Sequence, residues 1–297
     1  MDDGPRGTTA NETNEAIGRG QAEAAGRGSL VATRPDARMA STLSHAFATS
    51  PLRFVRPTFP GSSAAAVCLV TFGGGLVDGD TVDLDVTVDP GATLLVFTQA
   101  TTKVFRGRAR QSLRARVAGT LVLLPDPVAC FRDAHYTQHV DVDLQGPSAS
   151  CVVLDGFTSG RAAYGERWAF GSLETRTVVR RDGKKLLHEA FRLDAKDGSI
   201  AERMDRFEAF ATLFAIGPGV APVRAGILSH SREHARGADG ALVAAPSPLP
   251  VPRRDSTSDG AIVRIAGTTP LGVIDEVQRR LRNLPEIDVV DPFTARH

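Results

Sequence analysis

Residues 81–88, Thr-Val-Asp-Leu-Asp-Val-Thr-Val, alternate polar and apolar without a break. A period of two marks a strand with one buried face, because successive side chains point to opposite sides of the backbone. Turn signals bound the segment. Gly79 stands between Asp78 and Asp80 before it, and Asp89-Pro90-Gly91 follows it. Glycine supplies positive φ and proline a fixed φ. Residues 92–97 then run back as a more continuously apolar strand. The same texture covers most of the chain, with strands predicted at 52–56, 65–72, 113–117, 120–124, 140–144, 151–154, 168–180, 184–193, 210–216 and 261–265. Arg181-Asp182-Gly183-Lys184, between two alternating runs, predicts a hairpin. Strands at this density, without helices between them, predict an all-β fold of many-stranded antiparallel or mixed sheets with a few helices. No fixed-period repeat is visible in the sequence.

Length and composition add boundaries. Residues 1–38 hold few large apolar side chains beyond Ile17, Leu30 and Val31, so a disordered tail is expected there. Residues 39–297 form the expected single β domain. Pro246, Pro248, Pro250 and Pro252 predict an exposed loop at about 239–259. Thr269 as cap, Pro270 in the first turn, and Leu271, Ile274, Val277, Leu281 and Leu284 at helical spacing predict an amphipathic C-terminal helix at about 270–284. Glu276, Arg279, Arg280 and Arg282 fall largely off that face. A net charge of +1 gives no field for nucleic acid. Three widely spaced cysteines, Cys68, Cys130 and Cys151, point to a reducing compartment rather than a disulfide framework. With no basic-then-apolar leader and no apolar run near the ~18 residues a span needs, a cytoplasmic protein without a membrane partner is expected.

Chemistry-bearing motifs are sparse. His230-Ser231-Arg232-Glu233-His234 fits the H-x-x-E-H pattern of inverted zinc proteases, and makes a zinc-dependent hydrolase using His230, Glu233 and His234 the competing reading. Gly73, Gly74 and Gly75 do not keep a phosphate-cradle register, and a strand rather than a helix follows them. Cys130, His135, His139 and Cys151 read as core cysteines and surface histidines. The group that resists a simple reading is Thr98-Gln99-Ala100-Thr101-Thr102-Lys103-Val104-Phe105-Arg106. It crowds hydrogen-bonding and cationic side chains at a strand end, where each needs water or a polar partner.

That segment, preceded by Gly73-Gly74-Gly75-Leu76-Val77-Asp78-Gly79-Asp80, resembles the urease accessory protein family UreD, called UreH in some systems. Three further landmarks keep the family's order. They are Leu124-Pro125-Asp126-Pro127 with Cys130-Phe131, Gly160-Arg161 with Gly165-Glu166-Arg167-Trp168, and Ile262-Val263-Arg264-Ile265 before the helix. The resemblance spans residues 41–284. Phe105 in place of a more usual tyrosine, and Asp78 where a small residue is common, are mild departures.

The resemblance implies a non-enzymatic scaffold that matures the nickel site of urease. Its partners would be the urease apoprotein, an F-type accessory protein and, through it, a G-type GTPase that carries nickel. No cofactor would be held tightly, nickel being in transit along a water-lined internal tunnel. Such a route suits scattered oxygen ligands better than a His/Cys cage that would trap the ion. Asp80 and Glu166 are the carboxylates expected on the path, with Thr98, Gln99 and Lys103 setting its polarity. Gly73, Gly74, Gly75, Gly79, Arg106 and Arg161 are expected to be structural, Arg161 by pairing with Glu166.

Overall fold

The computed structural model describes residues 25–229, 240–249 and 260–293, and these are mostly strands in two large mixed sheets with few helices. The chain begins in the first sheet with β1 (Ala25–Thr33) and turns back as β2 (Thr42–Ala48). It enters the second sheet through the hairpin β3 (Leu52–Val55) and β4 (Ala65–Thr71). It then winds as a coil. The first-sheet strands of the coil are β5 (Thr81–Val88), β8 (Gly107–Val117), β11 (Ala134–Leu144) and β15 (Ser172–Arg181). Each of the first three is followed by a second-sheet strand: β6 (Thr93–Thr98), β9 (Thr120–Leu124) and β12 (Ser150–Thr158). Short strands β7 (Thr102–Val104), β10 (Val128–Cys130), β13 (Gly160–Arg161) and β14 (Glu166–Arg167) lie in the connections.

Every turn of the coil returns the chain in the same direction, so neighbouring strands within each sheet are parallel. Thr81, Arg110 and Thr137 stand side by side in the first sheet, and Leu94, Leu121 and Cys151 do so in the second. A parallel pair normally needs a helical crossover; here the opposite sheet is the crossover. Within the two large sheets antiparallel pairing is confined to the ends, so of the two expected alternatives the sheets are mixed. The first sheet closes with β16 (Lys184–Asp194), joined to β15 through Asp182 and Gly183, both at positive φ (48° and 78°) as a two-residue hairpin turn requires. The second closes with β17 (Ala209–Ile216), β18 (Leu242–Leu249) and β19 (Gly260–Gly267).

The sequence pattern follows from the layering. The first sheet buries one face, so β5 alternates: Val82, Leu84, Val86 and Val88 are buried, whereas its polar residues are not. The second sheet is buried on both faces, and its strands read as nearly unbroken apolar runs. Leu94, Val96, Leu121, Leu123, Cys151 and Val153 face the first sheet. Leu95, Val122, Val152 and Leu154 pack the other way, against α2 (Ala221–Leu228) and α3 (Pro270–Leu281). Each buried Leu or Val contributes roughly 1.5–3 kcal/mol relative to exposure. The three cysteines are buried, and none is in a disulfide.

Three segments differ from expectation. Residues 25–38 are ordered, with β1 paired to both β2 and β5; residues 1–24 lie outside the described residues. Gly28 explains why so weakly apolar a strand can sit inside the sheet. A Cβ there would stand 2.7–2.9 Å from the side-chain tips of Leu52, Phe54 and Leu84, so a larger residue would have to push those tips aside where β3 and β5 pack on β1. Residues 242–249, expected in a loop, form the edge strand β18. Pro246 and Pro248 lie two apart, so they share one ladder parity, and an edge strand tolerates the missing donors on its free side. Finally, the buried face of α3 is Val273, Glu276, Val277, Arg280 and Leu281, with Leu271 67% exposed. Glu276 and Arg280 thus lie inside as a pair at 2.7 Å, and Arg280 Nη1 also donates to the Ile227 carbonyl at the end of α2.

Candidate functional site

The coil places a polar band between two otherwise apolar sheet faces. In the first sheet Gln111, Gln138 and Thr175 are lateral neighbours, and Thr177 stands opposite Glu189. In the second sheet Asp155, Thr212 and Arg264 form one row. Side chains join the two. Tyr136 is almost fully buried, and its hydroxyl lies 2.6 Å from Gln111 Oε1 and 2.8 Å from Gln138 Oε1. Gln138 Nε2 donates to Asp155 Oδ1 at 3.0 Å. Across the closing edges Arg264 clasps Glu189 through Nε and Nη2, at 2.7 and 2.5 Å.

A cavity of about 280 Å³ reaches this band at Gln111, Gln138 and Asp155. Gly74, Gln99, Ala100, Thr101 and Lys103 form its outer part, and Gln111, Gln138 and Asp155 its inner part. Burial pushes the Asp155 carboxyl above the ordinary carboxylate range; the Thr175 and Gln138 donors pull partly back, and the charge of Glu189 pushes further up. Burial likewise drives the Tyr136 hydroxyl and the Cys130 thiol well up, and Cys151 to about 12, so neither thiol is available as a soft metal ligand at neutral pH. Asp155 is therefore a carboxylate held in a poor environment for its charge, at the inner end of a mostly apolar cavity.

The residues singled out from sequence fall in three places. Thr98, Gln99 and Lys103 line the cavity. Thr98 Oγ1 donates to Asp126 Oδ2 and accepts from the Asp126 N–H, both at 2.7 Å, so the loop after β9 is fastened to the end of β6. Asp80 is 5% exposed and lies outside the cavity lining; its Oδ2 accepts from the Val77 N–H at 2.8 Å and closes the turn around Gly79. Glu166 also lies off the lining. It receives both arms of Arg161, at 2.9 and 2.7 Å, and that bond chiefly holds its carboxyl below the usual range. Arg161 in turn stacks 4.2 Å over Phe131.

The glycine run serves the same end of the molecule. Leu76 is fully buried and bridges to Val104, with Leu76 N–H donating to the Lys103 carbonyl at 2.8 Å. Gly75 permits that approach, because a Cβ would meet the same carbonyl oxygen at 2.5 Å. Gly73 and Gly74 are at positive φ in the turn before it, and the Gly79 N–H donates to the Arg108 carbonyl. Arg106 is exposed, 3.9 Å from Asp133. His135 is held by Ser172 at 2.9 Å, and His139 has its pKa lowered by burial and by Arg176 and Arg110. His230, Glu233 and His234 lie outside the described residues. Among the described residues no three His, Cys, Asp or Glu side chains converge as a metal cage, and no helix is long and apolar enough to cross a membrane.

Sequence reasoning missed Asp155 and Glu189. For Asp155 the signal was present, a lone carboxylate inside the apolar run Val152-Val153-Leu154-Asp155-Gly156-Phe157; Glu189 sits in the charged strand β16 and carried no such mark.

Fold and cavity together define a class, a mainly-β coil of two sheets with a cavity between them that a carboxylate lines at its inner end. Residues 24–282 match the family described as UreD urease accessory protein, and the chain belongs to that family. It is 44% identical over 92% of its length to a urease accessory protein UreD of Sorangium cellulosum, covering 84% of that protein. It is 36% identical over 91% to one of Anaeromyxobacter, covering 89% of it. A urease accessory protein D of rice (Oryza sativa subsp. japonica) is 34% identical over 69% of each chain.

Proposed function

We propose that this chain matures urease by passing nickel through the band between its sheets, and that it catalyses no covalent step itself. It works in a cytoplasmic complex with the urease apoprotein and an F-type accessory protein, which brings in a G-type GTPase. The observation that carries the reading is the cavity lined at its inner end by Gln111, Gln138 and Asp155, with the charge of Glu189 close enough to act on Asp155. An aquated divalent cation crosses a protein only where oxygen ligands replace part of its hydration at each point, and where none holds it as a cage of imidazoles and thiolates would. Thr98, Gln99 and the Gln111–Gln138 pair supply neutral oxygens, Asp155 and Glu189 the charge. Lys103 keeps the mouth from accumulating ions. Asp80 and Glu166, the carboxylates first expected on the path, hold the turns at the mouth end.

The test is co-expression with urease and its other accessory proteins, reading nickel content, activity and assembly separately. Asp155→Ala and Glu189→Ala lower nickel loading several-fold while the complex still assembles. Parallel loss of assembly and loading would make both residues structural and remove the support for the route.

A further inference from the structure

Each large sheet ends in two edge strands, and an unprotected edge is a template for another chain. Three of the four are blunted. β16 carries Lys184, Lys185, Glu189, Arg192 and Asp194; β18 carries Pro246 and Pro248; β3 is four residues long. The fourth, β2, has the sequence Thr-Leu-Ser-His-Ala-Phe-Ala, with no proline and no Lys, Arg, Asp or Glu. It pairs with β1 alone among the described residues, and most of it is exposed. At about 3.4 Å per residue it offers a free edge on the order of 24 Å long.

The side chains around that edge are apolar and cationic. Met39 in the connection before β2, Phe47 on β2, Val55 on β3 and Phe72 beside β3 are 54%, 53%, 54% and 47% exposed. Phe72 is tied to this flank by its N–H bond to the Pro51 carbonyl and by Arg53, 4.1 Å over its ring. Residues 25–60 contain Arg27, Arg34, Arg38, Arg53 and Arg56 against a single carboxylate, Asp36. Arg34 is spent on the Met39 and Ala37 carbonyls. None of the five is in a described ion pair.

We infer that the β2–β3 flank is a docking surface that takes, by strand addition along β2, an extended partner segment with an apolar centre and acidic flanks. Main-chain bonds to the free edge supply affinity and the side-chain pattern supplies selection. The charge distribution argues against a second copy of this chain, because pairing β2 with β2 would bring two basic flanks together. Conversely, it favours a segment whose carboxylates meet Arg53, Arg56 and Arg38. The inference rests on the proposed role in a urease-maturing complex and names the surface through which the chain is held there.

Hydrogen exchange read by mass spectrometry, on the full chain alone and in the complex with urease and the other accessory proteins, tests it. Amides of residues 42–48 slow by about tenfold or more on assembly. Phe47→Lys with Val55→Lys, and separately Arg53→Glu with Arg56→Glu, weaken capture by about tenfold or more, the scale of losing one interface anchor. Both variants keep the wild-type unfolding curve followed by Trp168 fluorescence. A complex that forms with residues 42–48 exchanging as freely as before overturns the inference and leaves the proposed function intact. Protection caused by self-association of this chain also overturns it. Failure of the wild-type chain to join any urease component overturns the proposed function, and this inference with it.

Discussion

Asp155→Asn tests whether the cavity floor is built for function at the expense of stability. Asparagine keeps an oxygen to accept from Gln138 and Thr175 and removes the charge that burial opposes. For a carboxyl whose folded pKa is raised, the folded state binds more protons than the unfolded state between the two pKa values, so stability falls as pH rises through that window. The window opens near the unfolded value of about 3.9 and closes at the higher folded value. Wild type therefore carries none of the penalty in acid below the window and its full penalty once the pH exceeds the folded value. The penalty corresponds to a polar group imperfectly compensated inside a protein, about 1–3 kcal/mol. Asp155→Asn should be more stable than wild type at pH 7 by up to that amount, with the gap closing toward pH 4. Urea unfolding at several pH values reads this directly. The only tryptophan, Trp168, is 4% exposed and packed against Phe157, Phe170 and Phe210, and so reports loss of the core. A variant less stable than wild type at pH 7, or a gap independent of pH, would refute the reasoning.

Other consequences concern the frame. Leu30→Ala, at a 1% exposed position in β1, should cost about 2–5 kcal/mol in the urea midpoint; a cost near zero would return residues 25–33 to the status of a tail. Glu276→Ala leaves Arg280 buried without its carboxylate and should cost about 3–5 kcal/mol. Replacing both by methionine should cost far less, and equal costs would mean that the pair is not the cause. Gly75→Ala forces the Lys103 carbonyl away and should reduce nickel loading of urease in co-expression while the chain still folds; unchanged loading would detach the glycine turn from the cavity mouth.

Strand positions and the faces they bury were legible because alternation is local. Residues 82–88 and the 181–184 hairpin needed no knowledge of their neighbours. Parallel pairing was not legible, since a period of two assigns a side chain to a face and names no partner strand. The coil that aligns Asp83, Ser112 and His139 leaves no repeated motif, as each turn has its own connection. Composition misled twice. Gly26 and Gly28 made β1 read as a tail, although Gly28 leaves room for the Leu52, Phe54 and Leu84 side chains packed on it, and the prolines of β18 made an edge strand read as a loop. The site was legible at its mouth, where Thr98, Gln99 and Lys103 carry a distinctive local pattern. Its floor was not, because the predicted strand 151–154 stops one residue short of Asp155, and a lone acid in an apolar run shows its meaning only when Gln138 and Thr175 are brought opposite it.

The most direct measurement is nickel anomalous scattering from the assembled complex loaded with the metal and stopped before urease is fully active. The account predicts nickel density between the two sheets, within bonding distance of the Asp155 carboxylate and lost in Asp155→Asn. Nickel that reaches urease in the same sample with density only on the outer surface of this chain would contradict it.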